Sequence, residues 1–379
     1  MASGNIRKRT TKKGVCYQIT IECGYDPVTG KRERQFVTLT NCTKKQAEAE
    51  LRKLVYEHEH GHTIKSSATK LATWLDNWLN TYQVGIAQTT RDGYDQSIKN
   101  YINPHLGRLT IDKISTNDVQ SWVNALSNRG LSSKTVRNTY TILRCALEKL
   151  TIMQIIPRNP CGGVKLPAVS KYEAKVYSTD TVVEVLELAK GKNVYPVVIL
   201  GALLGLRRGE IVALTWGDID FSSGIVTVDK NRVHTSNGVI LKSPKSFAGN
   251  RKVYAGSTVI SLLRELRETV SNANSDDISS RPIVCKENGE PYHPDSVTQM
   301  WERFIAAQGL EHIRLHDLRH TNATALLASG ASSKVVQKHL GHADIRTTLN
   351  TYAHVLPSMH QEAATNFDNY VFNKKPTTV

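Results

Sequence analysis

The chain has no CxxC pair: its six cysteines, Cys16, Cys23, Cys42, Cys145, Cys161 and Cys285, are scattered along it. Isolated thiols of this kind exclude a disulfide framework and a thiolate zinc site, and they fit a reducing cytoplasm. Long apolar runs are missing as well. The longest, Val194 to Leu206, is too short to cross a bilayer and is closed by Arg207 and Arg208. The basic N-terminus MASGNIRKRTTKKG has no apolar segment behind it, so a soluble, unexported protein with no membrane partner is expected. Acidic residues are the third shortage, 34 Asp+Glu against 49 Lys+Arg, a net charge of +15. That excess favours a polyanionic partner, nucleic acid before any other.

What is present divides into three parts, as 379 residues lead one to expect. In residues 1–65, Val15, Tyr17, Ile19 and Ile21 alternate with the period of a half-buried strand. A turn through Asp26, Pro27 and Gly30 leads to another strand. A helix follows, opened by a Thr43–Gln46 capping box and closed at Gly61. Arg7, Lys8, Arg9, Lys12, Lys13, Lys31, Arg32 and Arg34 gather on this sheet and on the arm before it. A sheet with a basic face can enter a DNA major groove.

Residues 66–168 read as helical throughout. Leu71, Trp74, Leu75, Trp78, Leu79 and Tyr82 keep the spacing of one buried helix face. A second helix is expected to stop at Pro104, a third to start at a Thr116 cap and end at Gly130, and a fourth to open at Ser132 or Ser133. The segment PRNPCGGVKLPAVSKYEAK, with three prolines and a glycine pair, reads as a linker. Residues 169–379 mix helices with a small antiparallel sheet along SGIVTVDKNRVHTSNGVILKSPKSFAGNRKVYAG.

The groups that carry chemistry fall at element ends in this last part. Arg207 and Arg208 close the buried apolar helix, Lys245 lies in a turn-rich stretch, and His316 and Arg319 stand one turn apart. His342 follows at a helix end, and Tyr352 lies on the next helix. Such a cationic set suits a phosphodiester, because guanidinium forks stabilise the charge that its oxygens gain under attack. A tyrosine nucleophile needs that setting to lose its proton, and the expelled sugar oxygen needs an acid such as a lysine. A metal is the competing reading, since His316 with His320 and His339 with His342 have usable spacings. HDLRH is not the zincin HExxH, however: Asp317 replaces the glutamate and Arg319 adds a cation beside the would-be metal. No metal or cofactor is therefore expected.

The stretches LLGLRRGEIVALTWGDID, PKSFAGNRKV, LHDLRHTNATALLASG and LGHADIRTTLNTYAHV resemble, in order and spacing, the boxes of the tyrosine recombinase (phage integrase) family. GYDPVTGKRERQF and INPHLGRLTIDKIS extend the likeness toward the N-terminus, in the manner of integrases of Gram-positive conjugative transposons. The resemblance implies a multidomain α+β chain: an arm-site-binding three-stranded sheet plus helix (1–65), an all-helical core-binding domain (66–168), and a mainly helical catalytic domain with a small antiparallel sheet and a C-terminal tail (169–379). It implies Tyr352 as nucleophile, with Arg207, His316, Arg319 and His342 around the phosphate and Glu210 in support. Lys245 is the candidate general acid, with Lys242 as its rival. The implied reaction is site-specific DNA cleavage and rejoining through a 3′-phosphotyrosine and a Holliday junction, integrating or excising a mobile element. The implied partners are double-stranded DNA with core and arm sites, further copies of the chain (a dimer on one site, a tetramer in the synapse), an excisionase and a DNA-bending host protein, in a bacterial cytoplasm. A type IB topoisomerase and a non-catalytic DNA-binding regulator are the alternatives.

Overall fold

The structure, a computed structural model, describes residues 3–11, 14–25, 32–40, 42–59, 69–169, 174–243, 249–271, 278–346, 349 and 367. The chain divides into two compact units, Met1–Ser170 and Lys171–Val379.

The first unit opens with an antiparallel sheet of three strands, β1 (Ser3–Thr11), β2 (Gly14–Tyr25) and β3 (Arg32–Thr40), in that order. What the sequence presents as a basic arm before the sheet is thus itself an edge strand. Charged residues suit an edge, where they discourage pairing with other chains. Ile19 and Ile21 are buried, and the register Gly4↔Ile21 and Ile6↔Ile19 puts those four residues on one face. Helix α1 (Lys44–Glu59) covers that face so closely that a Cβ on Gly4 would stand 2.6 Å from Leu51 Cδ1. The capping box at its start forms: the Thr43 amide donates to Gln46 Oε1 at 2.8 Å and the Gln46 amide to Thr43 Oγ1 at 3.3 Å. Arg7 and Arg9 lie on the other face with Gln18, Thr20 and the exposed Phe36, whereas Lys8 has the parity of the helix-covered face. Gly61, Lys12, Lys13 and Lys31 lie outside the described residues.

Helix α2 (Leu71–Asn77) runs into a π turn at Trp78–Tyr82, and α3 (Gln88–Ser97) into another at Ile98–Ile102. Then come α4 (Asn103–Leu106), α5 (Thr116–Asn128) and α6 (Ser133–Ile152). The expected stripe is buried from Leu71 to Leu79, with Tyr82 packed at its margin. Two indoles find acceptors inside, Trp74 Nε1 on the Ala146 carbonyl (3.0 Å) and Trp122 Nε1 on that of Tyr101 (2.8 Å).

Three sequence expectations change here. Pro104 does not stop the helical path: it occupies the first turn of α4, where a missing N–H is no loss, and the chain leaves the helix at Gly107. The cap of α5 is Ser115 rather than Thr116, with Asp118 completing a capping box. The expected linker is in part packed structure, because Tyr140 donates to the buried Cys161 carbonyl (2.6 Å) and Arg137 Nε to that of Pro167 (2.8 Å). Prolines and glycines mark non-helical backbone, but they do not say whether it is docked.

The second unit comprises α7 (Thr179–Ala189), α8 (Tyr195–Val198) with a π turn at Ile199–Leu203, and α9 (Arg208–Ala213). Strands β4 (Ile219–Asp220), β5 (Ile225–Val228), β6 (Asn231–Thr235), β7 (Gly238–Lys242) and β8 (Arg251–Tyr254) follow. Helices α10 (Ser257–Ser271), α11 (Pro294–Ala307), α12 (Leu315–Ala328) and α13 (Ser333–Leu340) come after them. The single small sheet expected is two: β4-β5-β8, and a separate β6-β7 hairpin. The core gathers Val197–Leu200, Val226, Val253, Trp301 and Leu318. No described helix is long and apolar enough to cross a membrane.

Candidate active site

The helix that carries Val197–Leu200 ends inside the protein, so its last carbonyls need donors other than water. Helix α12 supplies them. Asn322 Nδ2 reaches the carbonyls of Ala202 (3.1 Å) and Leu203 (3.0 Å), and one turn earlier Arg319 Nη1 reaches that of Gly205 at 2.7 Å. Gly205 sits in the left-handed region (φ +64°), and a Cβ there would lie 2.6 Å from Asn322 Oδ1. Only glycine lets the chain turn this close to α12. The turn releases Arg207 from the preceding helix and makes it the N-cap of α9. Arg207 thus opens a helix, where the sequence suggested that it closes one.

Helix α13 ends in the left-handed Gly341, and the His342 amide bonds back to the Gln337 carbonyl at 3.1 Å. Its last carbonyls are then taken by three arginines from three distant segments. Arg251 Nε donates to the carbonyl of His339 at 2.7 Å, Arg319 Nη2 to that of Leu340, and Arg207 Nη2 to that of Gly341 at 3.2 Å. Positive charge at a helix C-terminus is favourable, and three forks on successive carbonyls fix the place where His342 leaves the helix.

Glu210 ties two of these arginines together. It is 3% exposed, meets Arg251 with both oxygens at 3.0 Å, and accepts from Arg207 Nη1 at 2.8 Å. Burial opposes its charge, but the hydrogen bonds and charge of Arg251, with Arg207 beside it, bring its pKa down to about 2. A buried carboxylate paired on both oxygens is a firm anchor for the guanidinium of Arg207, which keeps 36% of its side chain exposed. Arg319 lies deeper, at 1% exposure. At the start of α12 the buried Asp317 receives the amide (2.9 Å) and both ends of the guanidinium of Arg314, holding the turn that carries His316.

His316 stands near His320, their rings perpendicular with centroids 5.1 Å apart. Crowding by protein, then the charges of His320, Arg319 and Arg207, push the His316 pKa down to about 4, although one side of the residue opens to solvent. His342 falls to about 4 for the same reasons, burial first and then Arg319 and Arg207. At neutral pH both imidazoles are therefore uncharged in the free protein. They can donate a hydrogen bond without adding charge, and an anion beside them would draw their pKa values upward.

Of the residues singled out in the sequence, the fold thus brings Arg207, Glu210, His316, Arg319 and His342 together. Lys242 ends β7, half-buried; Lys245 and Tyr352 lie outside the described residues. Sequence reasoning passed over Arg251, Asn322 and Gly205. A signal for Arg251 existed: in RKVY it shares the inward parity of Val253, and a basic residue on an inward face needs a buried acid.

The model of the phage integrase family matches residues 191–359, and that of the phage integrase N-terminal SAM-like domain matches residues 70–127. The ICEBs1 integrase of Bacillus subtilis (strain 168) is 27% identical over 366 residues, covering 93% of this chain and 97% of that protein. Among solved structures, the Tn1549 transposon integrase in complex with a circular intermediate DNA superposes with a TM-score of 0.68 at 20% identity, over 78% of this chain and 100% of that one. A lambda integrase tetramer bound to a Holliday junction gives 0.59 at 21% identity, over 92% and 94%.

Proposed function

The chain belongs to the phage integrase family of tyrosine recombinases, and from that premise we propose the roles of its residues. Tyr352 attacks a scissile DNA phosphate, forming a 3′-phosphotyrosine and releasing a 5′-hydroxyl. Arg207 lays its guanidinium against the phosphate, and Arg319 supplies charge from beneath. His316 and His342 donate hydrogen bonds to the phosphate oxygens. Glu210 and Arg251 position Arg207 without touching DNA. Lys245, or failing it Lys242, protonates the leaving oxygen. The 5′-hydroxyl of a partner duplex then attacks the phosphotyrosine, so bond energy is conserved and neither ATP nor metal is consumed.

The observation that carries this reading is the set of three arginines on successive carbonyls at the end of α13. It ties three of the sequence boxes to the turn that presents His342, ten residues before Tyr352. A regulator that only binds DNA has no need of a buried carboxylate clamped between two arginines. The same reading gives the 1–65 sheet to arm sites, with Arg7 and Arg9 on its open face, and gives 66–168 and 169–379 to core sites. It assembles the protein as a dimer on one site and a tetramer in the synapse, with an excisionase and a bending protein to set direction. A mobile element, such as a conjugative transposon, is the DNA that this reading assigns to it, and the likeness to the ICEBs1 integrase supports it.

Tyr352→Phe tests the assignment, since it removes one hydroxyl and nothing else. The variant should bind attachment-site DNA as the wild type does and form no covalent adduct on a suicide substrate. Peptide mapping of the wild-type adduct should find DNA on Tyr352; a label on Tyr370 would overturn the assignment.

A further inference from the structure

One cluster of ligating side chains stands apart from the active site. His234 points from β6, and His293 and Asp295 flank the first residue of α11. Each offers one donor atom, and the three donors lie within 4.8 Å of one another. Asp295 Oδ2 is 3.8 Å from His234 Nδ1 and 3.7 Å from His293 Nδ1, and the two rings meet edge to face with centroids 4.6 Å apart. Donors bound to one tetrahedral Zn²⁺ at about 2.1 Å stand about 3.4 Å apart. The two carboxylate–imidazole separations therefore need to close by a few tenths of an ångström, and the imidazole donors, within 4.8 Å of each other, close further as the exposed His234 ring turns in.

The carboxylate is already aimed. Arg208 Nη1 holds the other oxygen, Oδ1, at 2.7 Å and also donates to Thr298 Oγ1 at 3.1 Å, which turns Oδ2 toward the imidazoles. Outer contacts of this kind are what orient the ligands of real metal sites. His293 caps α11 through Nδ1, which accepts from the Asp295 amide at 3.2 Å, so an ion taken at that nitrogen displaces the cap bond. All three residues are partly exposed, which gives an ion a path of entry.

We propose that His234, His293 and Asp295 form a site for a divalent transition metal, Zn²⁺ by donor type, that clips the β6–β7 hairpin to the start of α11. Two imidazoles and one carboxylate leave a fourth position for water, and this donor set selects zinc over magnesium or calcium. The clip takes no part in the DNA chemistry. Its effect is on the hairpin, whose second strand, β7, ends at Lys242 just before the segment that carries Lys245.

The probe is Zn²⁺ itself, by equilibrium dialysis against the full chain, with Co²⁺ absorption reporting geometry. One equivalent should bind, and binding should weaken at least tenfold in His234→Ala and in His293→Asn, the latter keeping a good N-cap. His312→Ala, away from the cluster, should bind as the wild type does. Hydrogen exchange at residues 231–242 should slow with Zn²⁺ in the wild type and not in His234→Ala. Absence of saturable binding, or wild-type affinity in either ligand variant, overturns the site. Binding that leaves exchange in the hairpin unchanged overturns the clip.

Discussion

The helical part of the first unit and the interior of the second solve the same problem by opposite means. Around α5 and α6 the buried side chains are almost all apolar, and the polar atoms carried inside include two indoles and the hydroxyls of Tyr140 and Thr139, each on a carbonyl. Around α12 and α13 the interior holds Glu210, Arg251, Asp317 and Arg319, all at or below 8% exposure. An apolar core specifies shape through packing alone. A buried ionic network is a weaker source of stability, because desolvation offsets most of the attraction. What it provides is fixed direction, and at this site the direction given is that of Arg207 and His342. The second interior is organised to hold charges in place for something outside it.

The largest effect should come from removing the carboxylate. Glu210→Ala leaves Arg251 buried without its partner, a loss of about 3–5 kcal/mol. Leu143→Ala is the matching cut in the helical part, where a fully buried leucine costs about 2–5 kcal/mol. The two should be similar in urea denaturation and different in chemistry. Below its unfolding midpoint and at saturating DNA, Leu143→Ala should form adduct at nearly the wild-type rate, whereas Glu210→Ala should stay impaired in every condition where it is folded. Equal impairment of the two would mean that the ionic interior is only scaffold.

Next in size is Arg207→Ala. Arg251 still meets both oxygens of Glu210, so stability should change by less than about 1 kcal/mol, as for a partly exposed pair. The rate of adduct formation should fall about 10²–10³-fold, the usual cost of one group that stabilises transition-state charge. Arg207→Lys should recover little of it, because an ammonium cannot serve Glu210, Gly341 and a phosphate at once. A stability loss as large as that of Glu210→Ala, with the rate intact, would reverse the two roles.

The same contrast explains what the sequence disclosed. The helical part was legible down to its individual buried residues, because one apolar face at helical spacing has one solution: Leu71, Trp74, Leu75, Trp78 and Leu79 are all inside. Within the helices the errors are local, at Pro104 and Ser115, where neighbouring residues compete for the same turn or cap, and beyond them the expected linker is partly docked. At the site, the boxes named Arg207, Glu210, His316, Arg319 and His342, which the fold brings together, whereas Lys245 and Tyr352 lie outside the described residues. The supports of those five were not legible, since Gly205, Asn322 and Arg251 act on backbone carbonyls or on a partner far along the chain. Local pattern carries no record of such pairings. The His234–His293–Asp295 cluster was hidden for the same reason.

The smallest effect is a pH signature that separates the two kinds of charge in the second unit. His339 lies against Arg251 and Arg319, and burial first, then those cations, lower its pKa to about 4. Its Nε2 is buried and finds no hydrogen-bond partner. The native state therefore resists protonating it, while the unfolded chain takes up a proton near pH 6.5. Protons bind the unfolded state more, so the stability from this group is full above pH 6.5 and is lost as pH falls toward 4. Glu210 behaves differently in position though not in sign. Its pKa is depressed to about 2, so its contribution is full above the ordinary carboxyl range near 4.5 and is lost as pH falls through 2. Urea midpoints between pH 2 and 8 should therefore decline in two steps, an upper one from 6.5 toward 4 shared by His339, His316 and His342, and a lower one from 4.5 toward 2. His339→Gln, which cannot titrate, should flatten the upper step by under about 1 kcal/mol per pH unit, as befits a partly solvated ring, and leave the lower step alone. Glu210→Gln should do the reverse. A single merged step, or an upper step unmoved by His339→Gln, would mean that the histidines at the end of α13 are protonated freely in the folded protein, and the neutral imidazoles proposed to meet the phosphate would lose their basis.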